Sequence, residues 1–166
     1  MTQQRVDATS DYELEHPQEA NASHEVIRAF NDQMAVYEHY ARSKGLHGKA
    51  LDILLWMYYA DAPITQRFIC SRTYATKQVV NMTLKGWRNN GWVEEAERLG
   101  GDDRERRLRL TEEGRRMARE ILDPLRDAEI SAIDAIDPEM RRTFATMSTT
   151  YVKALKRKLH IGKDND

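Results

Sequence analysis

The chain has 166 residues, of which 32% are charged and 40% hydrophobic, with only 8 glycines and 4 prolines. This balance is typical of one compact, helix-rich globular domain. The single cysteine, Cys70, excludes an intramolecular disulfide and a four-cysteine metal site, so a reducing cytoplasm is the expected location. The N-terminus has no apolar run typical of a signal peptide. The longest apolar run, Ile53 to Ala60, has about half the length needed to cross a bilayer.

The net charge of −1 conceals a strong separation of charge along the sequence. Residues 1–22 carry five acidic residues and one arginine, which predicts a flexible acidic tail; packing of this tail on a partner subunit is the alternative. From Ala62 to Val93 there is no Asp or Glu, whereas this stretch holds five Lys or Arg residues. Such a local basic surface indicates contact with a phosphate backbone, whatever the overall charge.

Two helices are predicted before the basic stretch. The first begins near Ser23, a good N-cap, and ends near Gly45, with apolar residues spaced three and four apart. This stripe is either ordinary core or the seam of a dimer. Residues Gly48 to Ala60 are apolar on nearly all sides, which predicts a central helix that is buried nearly all round.

A helix-turn-helix is predicted next. Thr65 can cap a short helix, and a tight turn follows at residues 72–75. Thr76 can cap a second helix from Lys77 to about Asn90, which Gly91 terminates. Its outward side is polar and basic, as expected for a recognition helix. Its inward side is formed by Val80, Leu84 and Trp87.

A β-hairpin is predicted directly after the second helix. One strand begins at Trp92-Val93, and residues 100–103 (Gly-Gly-Asp-Asp) form the turn. In residues 106–110, Leu108 and Leu110 alternate with arginines, which places the leucines on one face. A hairpin in this position is a wing.

Two long helices complete the predicted fold. Thr111 caps the first, in which Pro124 is expected to cause a bend. Asp137 caps the second, with Pro138 at its first position. The predicted fold is mainly α with a small β wing. Residues 46–110 form a winged helix-turn-helix, and residues 23–45 and 111–160 form a helical dimerisation region. The apolar stripe of the last helix consists of Phe144, Met147, Tyr151, Leu155 and Leu159.

This order of elements resembles the MarR family of multiple-antibiotic-resistance-type regulators over about residues 23–160. The resemblance is carried by Gly91-Trp92, by Asp102-Asp103-Arg104 and by Leu110-Thr111-Glu112-Glu113-Gly114. It implies a cytoplasmic homodimer, held together by the first and last two helices, that binds a palindromic operator in double-stranded DNA. It also implies repression, often relieved by a small ligand in the cleft between the dimerisation and DNA-binding parts.

Base contacts are expected from the second helix of the helix-turn-helix. Members of the family often have arginine where this chain has Met82 and Gly86, so the expected base readers are Gln78, Asn81 and Lys85. Glutamine and asparagine bind adenine in bidentate fashion, and lysine can bind guanine. Thr76, Lys77 and Arg72 complete the contacts expected around this helix.

The wing supplies a second set of expected contacts. Arg104 at its tip would enter the minor groove, where narrow A·T stretches attract a guanidinium group. Asp102 would hold Arg104 or a nearby arginine in place, and Arg106 and Arg107 would contact the DNA backbone.

A ligand site is a weaker expectation from the resemblance. Aromatic residues cluster near where members of the family hold aromatic acids, and a basic residue could bind a carboxylate; ordinary core packing is the alternative. Cys70 is expected to be a small buried residue and not a redox switch. The candidate ligand residues are Tyr37, Tyr40, Arg42, His47, Trp56 and Tyr59.

A protein-binding module and an enzyme are the two alternatives to a DNA-binding protein. A winged helix can bind protein and not DNA, in which case duplex DNA would not bind even at low salt. An enzyme is not expected, because the sequence contains no phosphate loop, metal-ligand cluster or nucleophile with a neighbouring base, and its five histidines are scattered. No cofactor, metal or membrane partner is expected.

Overall fold

The computed structural model describes residues 10–96 and 106–161. The chain divides into two compact units, residues 1–114 and 115–166. The predicted fold class is confirmed, because most of the described residues are helical and the strands form one small antiparallel sheet. In chain order the elements are α1 (Asp11–Glu15), α2 (Pro17–Ser43), α3 (Gly48–Tyr58), β1 (Ile64–Thr65), α4 (Gln66–Thr73), α5 (Lys77–Asn89), β2 (Val93–Glu95), β3 (Arg107–Leu110), α6 (Glu112–Asp134) and α7 (Pro138–Lys158).

The N-terminal segment is helical from residue 11, so the prediction of a flexible tail is wrong for residues 10–22. Ser10 and Glu13 form a reciprocal capping box that starts α1. Pro17 occupies the first turn of α2, where its missing N–H group costs no hydrogen bond. The first long helix therefore begins at Pro17, and Ser23 lies inside it instead of capping it.

Helix α3 supplies much of the core of the first unit. Leu51, Ile53 and Leu54 are at most 1% exposed, as the apolar sequence predicts. Trp56 is nevertheless 40% exposed, so the helix is not buried all round. A helix of 11 residues covered on one side by its neighbours keeps the other side at the surface even when its residues are apolar.

The corner between α2 and α3 is held by the carboxylate of Glu38. Its Oε2 atom accepts a hydrogen bond from the Gly48 backbone N–H (2.8 Å), and its Oε1 atom accepts one from Arg42 Nε (2.9 Å). These two bonds, first that from Arg42, lower the pKa of Glu38 below its usual value of 4.5. The Glu38 carboxylate on α2 therefore connects α2 to the first turn of α3.

The helix-turn-helix has the predicted caps. The Thr65 hydroxyl accepts from Phe68 N (3.1 Å), and the Thr76 hydroxyl accepts from Val79 N (3.3 Å). Between them, Tyr74 adopts a left-handed conformation with φ +53°, which turns the chain sharply. The inward residues Val80, Leu84 and Trp87 are buried as predicted, and Gly91 ends the helix with φ +72°.

The sheet has three strands in the order β1-β3-β2, one more than the predicted hairpin. Ile64 pairs with Leu108 and Val93 pairs with Leu110, both antiparallel. The buried and exposed positions of β3 alternate, with Leu108 and Leu110 inward, which confirms the predicted register. The sheet connects the start of α4 to the wing, and so fixes the helix-turn-helix against the hairpin.

Gly114 allows the first turn of α6 to approach the end of the helix-turn-helix. A Cβ atom at this position would lie 2.0 Å from the Trp92 carbonyl oxygen, which is backbone and cannot swing away. The Thr111 hydroxyl caps α6 by accepting from Gly114 N (3.0 Å) and also donates to the Gly91 carbonyl (2.6 Å). The motif from Leu110 to Gly114 thus has a packing role.

The second unit contains most of α6 and all of α7. α6 continues through Pro124, and the buried residues of this unit lie between Met117 and Leu125 of α6. Arg141 closes the turn to α7 by donating to the Asp134 carboxylate (2.7 Å) and to the Ile136 carbonyl (2.9 Å). Asp137 caps α7 as predicted, but α7 has no buried residue. None of the helices in the described ranges has both the length and the hydropathy to cross a bilayer.

Candidate nucleic-acid interface

Helix α5 presents a polar, acid-free face to solvent. Lys77, Gln78, Asn81 and Lys85 are all exposed on the side opposite the buried Val80-Leu84-Trp87 row. No acidic residue occupies the first turn, so the helix dipole there is available to attract an anion. The structure therefore brings together the residues that the sequence predicted for the recognition helix.

A basic cleft lies beside the N-terminus of α5. It has a volume of about 540 Å³ and contains cationic side chains from α4, α5 and the wing. Cys70 also lines it and is only half-buried, so the expectation of a fully buried cysteine is wrong. Arg67 belongs to the acid-free basic stretch but is not among the DNA contacts expected from the sequence. The lining residues are Thr65, Gln66, Arg67, Cys70, Lys77 and Arg106.

One contact in the interface was not foreseen. Gln66, the first residue of α4, donates a hydrogen bond from its side-chain amide to the Asn81 side-chain oxygen. Asn81 is therefore not an independent side chain on α5. No local pattern in the sequence indicates this pair, because it depends on how α4 packs against α5.

The base of the wing carries ion pairs between its strands. Arg106 is paired with Glu95 (3.1 Å) and Arg109 with Glu94 (2.7 Å), and all four side chains are well exposed. Arg107 is exposed and directs its guanidinium group toward the Pro63 carbonyl (3.5 Å). Exposed pairs of this kind contribute little stability, so Arg106 can exchange its partner for a phosphate at small cost. The predicted tip residues Asp102 and Arg104 lie outside the described residues.

Arg72 is committed to an aromatic contact. Its guanidinium carbon lies 5.3 Å from the centroid of the Trp56 ring and 5.1 Å from that of the Phe68 ring. The two rings meet edge to face with centroids 5.9 Å apart. This stacking holds Arg72 at the surface, where a planar cation can also donate hydrogen bonds from its edge.

Three of the six predicted ligand residues lie on α2, and the other three lie in α3 or at its two ends. His47 caps α3 by accepting from Ala50 N (3.2 Å), while Tyr59 ends the same helix, about 18 Å away by the rise of an α-helix. Arg42 is paired with Glu38, and Trp56 packs on Phe68. Residues adjacent in an apolar sequence are thus separated along and around the helices. Tyr37 and Tyr40 lie half-buried on α2, and burial raises the pKa of Tyr40.

These features define the chain as a winged helix-turn-helix protein: a capped helix pair with an exposed basic face, followed by a strand pair that closes a small sheet. Within this class, residues 44–105 match the model described as MarR family. The resemblance to this family, predicted from the sequence, is therefore confirmed. No curated protein matches the chain.

Solved structures of MarR family regulators share the fold. NMB1585 from Neisseria meningitidis is 19% identical with a TM-score of 0.66, over 82% of this chain and 94% of its own. The MarR family transcription regulator SP03579 is 12% identical with a TM-score of 0.72, over 92% and 100% of the two chains. MepR of S. aureus, in a complex with DNA, is 14% identical with a TM-score of 0.63, over 78% and 95%. At these identities the likeness is one of fold.

Proposed function

We propose that this protein is a DNA-binding transcriptional repressor that binds a palindromic operator as a homodimer. The observation that carries the proposal is the exposed face of α5, where Lys77, Gln78, Asn81 and Lys85 stand together without an acidic residue. A helix of this kind fits the major groove, and lysines beside polar amides combine phosphate attraction with base contacts. MepR, which has the same fold, has been solved in a complex with DNA, and this supports DNA binding by the present chain.

Different parts of the interface have different tasks in this proposal. The N-terminus of α5, with Thr76 and Lys77, binds a phosphate together with the cations of the neighbouring cleft. Gln78, Asn81 and Lys85 face base edges in the major groove. Arg106 and Arg107 contact the backbone, and Arg104 enters the minor groove with Asp102 holding it.

The homodimer is supported by two apolar helix faces that remain exposed in a single copy. On α7, Phe144 is 52% exposed and Met147 is 65% exposed; on α2, Met34 is 63% exposed. In a stable protein, apolar faces that are this exposed in one chain are covered by another surface. Two chains related by a two-fold axis cover each other's apolar faces at the same time. A two-fold pair also places two recognition helices on one side of the duplex, about 34 Å apart, as a palindrome requires.

The test is duplex binding by the purified protein as a function of salt. If each dimer contacts about six to eight phosphates, the logarithm of the association constant should fall with the logarithm of salt concentration at a slope of roughly −5 to −7. Sequencing of selected fragments should return a palindrome with half-sites about 10 base pairs apart. Absence of duplex binding at low salt would contradict the proposal and favour a protein-binding winged helix.

Paired variants locate the binding face. Lys77→Ala should weaken binding of every duplex and make the salt slope shallower by about two per dimer, because one phosphate contact is lost in each copy. Lys153→Ala removes the same charge from an exposed position on α7, which is not part of the proposed DNA-binding face, and should leave the slope unchanged. Equal effects of the two substitutions would show that attraction is diffuse and not centred on α5.

The minor-groove role of Arg104 has its own test. Arg104→Ala should weaken binding more on operators with A·T-rich flanks than on G·C-rich ones, because the narrow A·T groove has the stronger negative potential. Equal loss on both flanks would refute this role. Repression and its release by a small aromatic ligand are tested by transcription from the selected operator, with and without benzoate-type compounds.

A further inference from the structure

The turn between α4 and α5 sets the direction of the recognition helix. Thr73, the last residue of α4, is 3% exposed. Its hydroxyl donates to the Ile69 carbonyl (2.8 Å) and accepts from Ala75 N (3.3 Å), and the residue in the turn, Tyr74, is left-handed. The side chain of Thr73 therefore holds the turn from inside. Its backbone carbonyl belongs to the last turn of α4, where carbonyl groups need partners from outside the helix.

Lys49 of α3 supplies such a partner. Its Nζ atom donates to the Thr73 carbonyl oxygen (2.9 Å) and lies 3.2 Å from Asp52 Oδ2, which is one turn further along α3. An ammonium group only donates and a backbone carbonyl only accepts, so this bond has a single assignment. Lys49 and Thr73 are 24 positions apart in the sequence. The bond therefore joins the start of α3 to the end of α4.

Lys49 lies at the unfavourable end of its own helix for a cation. It is the second residue of α3, and the N-terminus of a helix carries a partial positive charge. The C-terminus of α4, which the ammonium group faces, carries a partial negative charge. The charge of Lys49 is thus placed to stabilise the end of α4 and not the start of α3.

The first turn of α3 is also attached to α2. The Gly48 N–H, next to Lys49, donates to Glu38 Oε2 (2.8 Å). Glu38 on α2, Gly48 and Lys49 on α3 and the Thr73 carbonyl on α4 therefore form a continuous series of contacts. Because α2 belongs to the proposed dimer interface, this series connects the part that pairs two copies with the turn that directs α5.

We propose that Lys49 is a positioning residue that fixes the direction of α5, an inference that rests on the proposed function. The attraction between cations and phosphates tolerates small changes in the direction of a helix. Contacts with base edges do not, and in a dimer both recognition helices must fit successive major grooves at the same time. Lys49 therefore contributes to specificity through the turn, without contacting DNA.

The decisive variant is Lys49→Met, which keeps the length of the side chain and removes the ammonium group. Binding is compared on the selected operator and on a duplex of the same length and composition with a scrambled sequence. Affinity for the operator should fall about tenfold, because the Thr73 carbonyl loses a charged hydrogen-bond partner and the turn can relax. Affinity for the scrambled duplex should stay within about twofold, with an unchanged salt slope, because no phosphate contact is lost.

Three further variants are the controls. Lys49→Arg can still donate to the Thr73 carbonyl and should keep the operator affinity within about twofold of the wild type. Lys44→Met removes the same charge from the end of α2, where the ammonium group lies 5.5 Å from the centroid of the Tyr40 ring. It should leave the ratio of operator to scrambled-duplex affinity unchanged. Lys77→Ala, at the proposed phosphate contact, should weaken both duplexes alike and make the salt slope shallower.

The results separate this inference from the proposed function. If Lys49→Met weakened both duplexes equally, the positioning role would be overturned. A shallower salt slope would then make Lys49 a phosphate contact, and an unchanged slope with a lower Tm would limit its bond to stabilising the fold. An unchanged operator affinity would also overturn the role of Lys49 and leave DNA binding intact. Failure of the wild type to bind any duplex would overturn both proposals.

Discussion

The recognition helix α5 and the last helix α7 have apolar residues at the same helical spacing, with opposite results. Val80, Leu84 and Trp87 of α5 are at most 5% exposed, and α5 packs against α3, α4 and β2 of its own unit. α7 has no buried residue, and Phe144 in its stripe is 52% exposed. An apolar stripe thus predicts that a face will be covered, without telling which chain covers it.

The contrast leads to different expectations for substitutions. Changes inside the winged-helix segment should alter the free energy of unfolding of each chain. Changes on the α7 stripe should alter association between chains, and through it the dependence of Tm on protein concentration. Each prediction below tests one side of this division, beginning with the largest effect.

Phe144→Glu should convert the proposed dimer into a monomer. A carboxylate in the centre of an apolar interface loses its hydration without gaining a partner, so the dissociation constant of the dimer should rise about 100-fold or more. Sedimentation velocity over a concentration series measures it. Thr146→Glu, about 200° around the same helix, is the matched control and should remain dimeric. A variant at residue 144 that stays dimeric would remove α7 from the interface.

Gly114→Ala should destabilise the winged-helix segment without changing the oligomeric state. The added Cβ atom would lie 2.0 Å from the Trp92 carbonyl oxygen, so one backbone segment must move. The expected cost is about 3 kcal/mol, or a Tm lower by about 6–12 °C in thermal unfolding. Gly86→Ala is the control, because a Cβ atom there meets nothing within 4 Å, and it should stabilise by about 0.5–1 kcal/mol. If Gly114→Ala and Gly86→Ala changed the Tm equally, the backbone segments at Gly114 and Trp92 would be able to move apart at little cost.

Local rules account for what the sequence predicted well. The Thr76 cap, the glycine at position 91 and the alternation of Leu108 and Leu110 each depend on residues within a few positions of one another. Such features can be read without the fold. Ser23 is a good N-cap by residue type, but Pro17 is equally typical of a helix start and occupies the first turn of α2, so the helix begins six residues before the predicted position.

Non-local packing accounts for what was missed. Strand β1 has only two residues and exists because Ile64 and Thr65 pair with β3, more than 40 residues later. Within the site, the Gln66–Asn81 bond and the half-buried position of Cys70 depend on how α4 meets α5 and the wing. Residue types and spacing in one segment contain no information on such contacts.

Thr73→Val should destabilise the turn of the helix-turn-helix by about 1–2 kcal/mol, seen as a Tm lower by about 3–6 °C. The Thr73 hydroxyl is buried, donates to the Ile69 carbonyl (2.8 Å) and accepts from Ala75 N (3.3 Å). Valine has nearly the same shape as threonine. The loss of stability therefore reports on these two hydrogen bonds and on the Ile69 carbonyl and Ala75 N–H groups, which lose their partner.

Thr149→Val on α7 is the matched control from the other region. Its hydroxyl makes the same bond to the carbonyl four residues earlier, Ala145 (2.9 Å), but it is exposed and water can replace it. The expected change in Tm is within about 1–2 °C. A loss as large as that of Thr73→Val would mean that this side of α7 is also covered in the assembly.

Glu38→Gln should have the smallest effect, and one that depends on pH. The amide oxygen can still accept from Gly48 N, but the charge that faces Arg42 is lost. Because the pKa of Glu38 is lowered in the folded chain, its contribution is present above the usual value of 4.5 and disappears as pH falls through the folded-state value. The Tm of the variant should be lower by roughly 1–2 °C at pH 7, and the difference should disappear once the pH is below the folded-state pKa of Glu38.

Glu120→Gln is the control for Glu38→Gln, because it removes an exposed pair with Arg116 (2.8 Å) that lies within one helix. Its effect on the Tm at pH 7 should be smaller than that of Glu38→Gln, because the pair lies within α6 and does not connect two helices. If the Glu38 difference stayed constant down to acid pH, the charge would not be what holds α2 to α3. Apolar contacts between α2 and α3 would then be the main connection between these two helices.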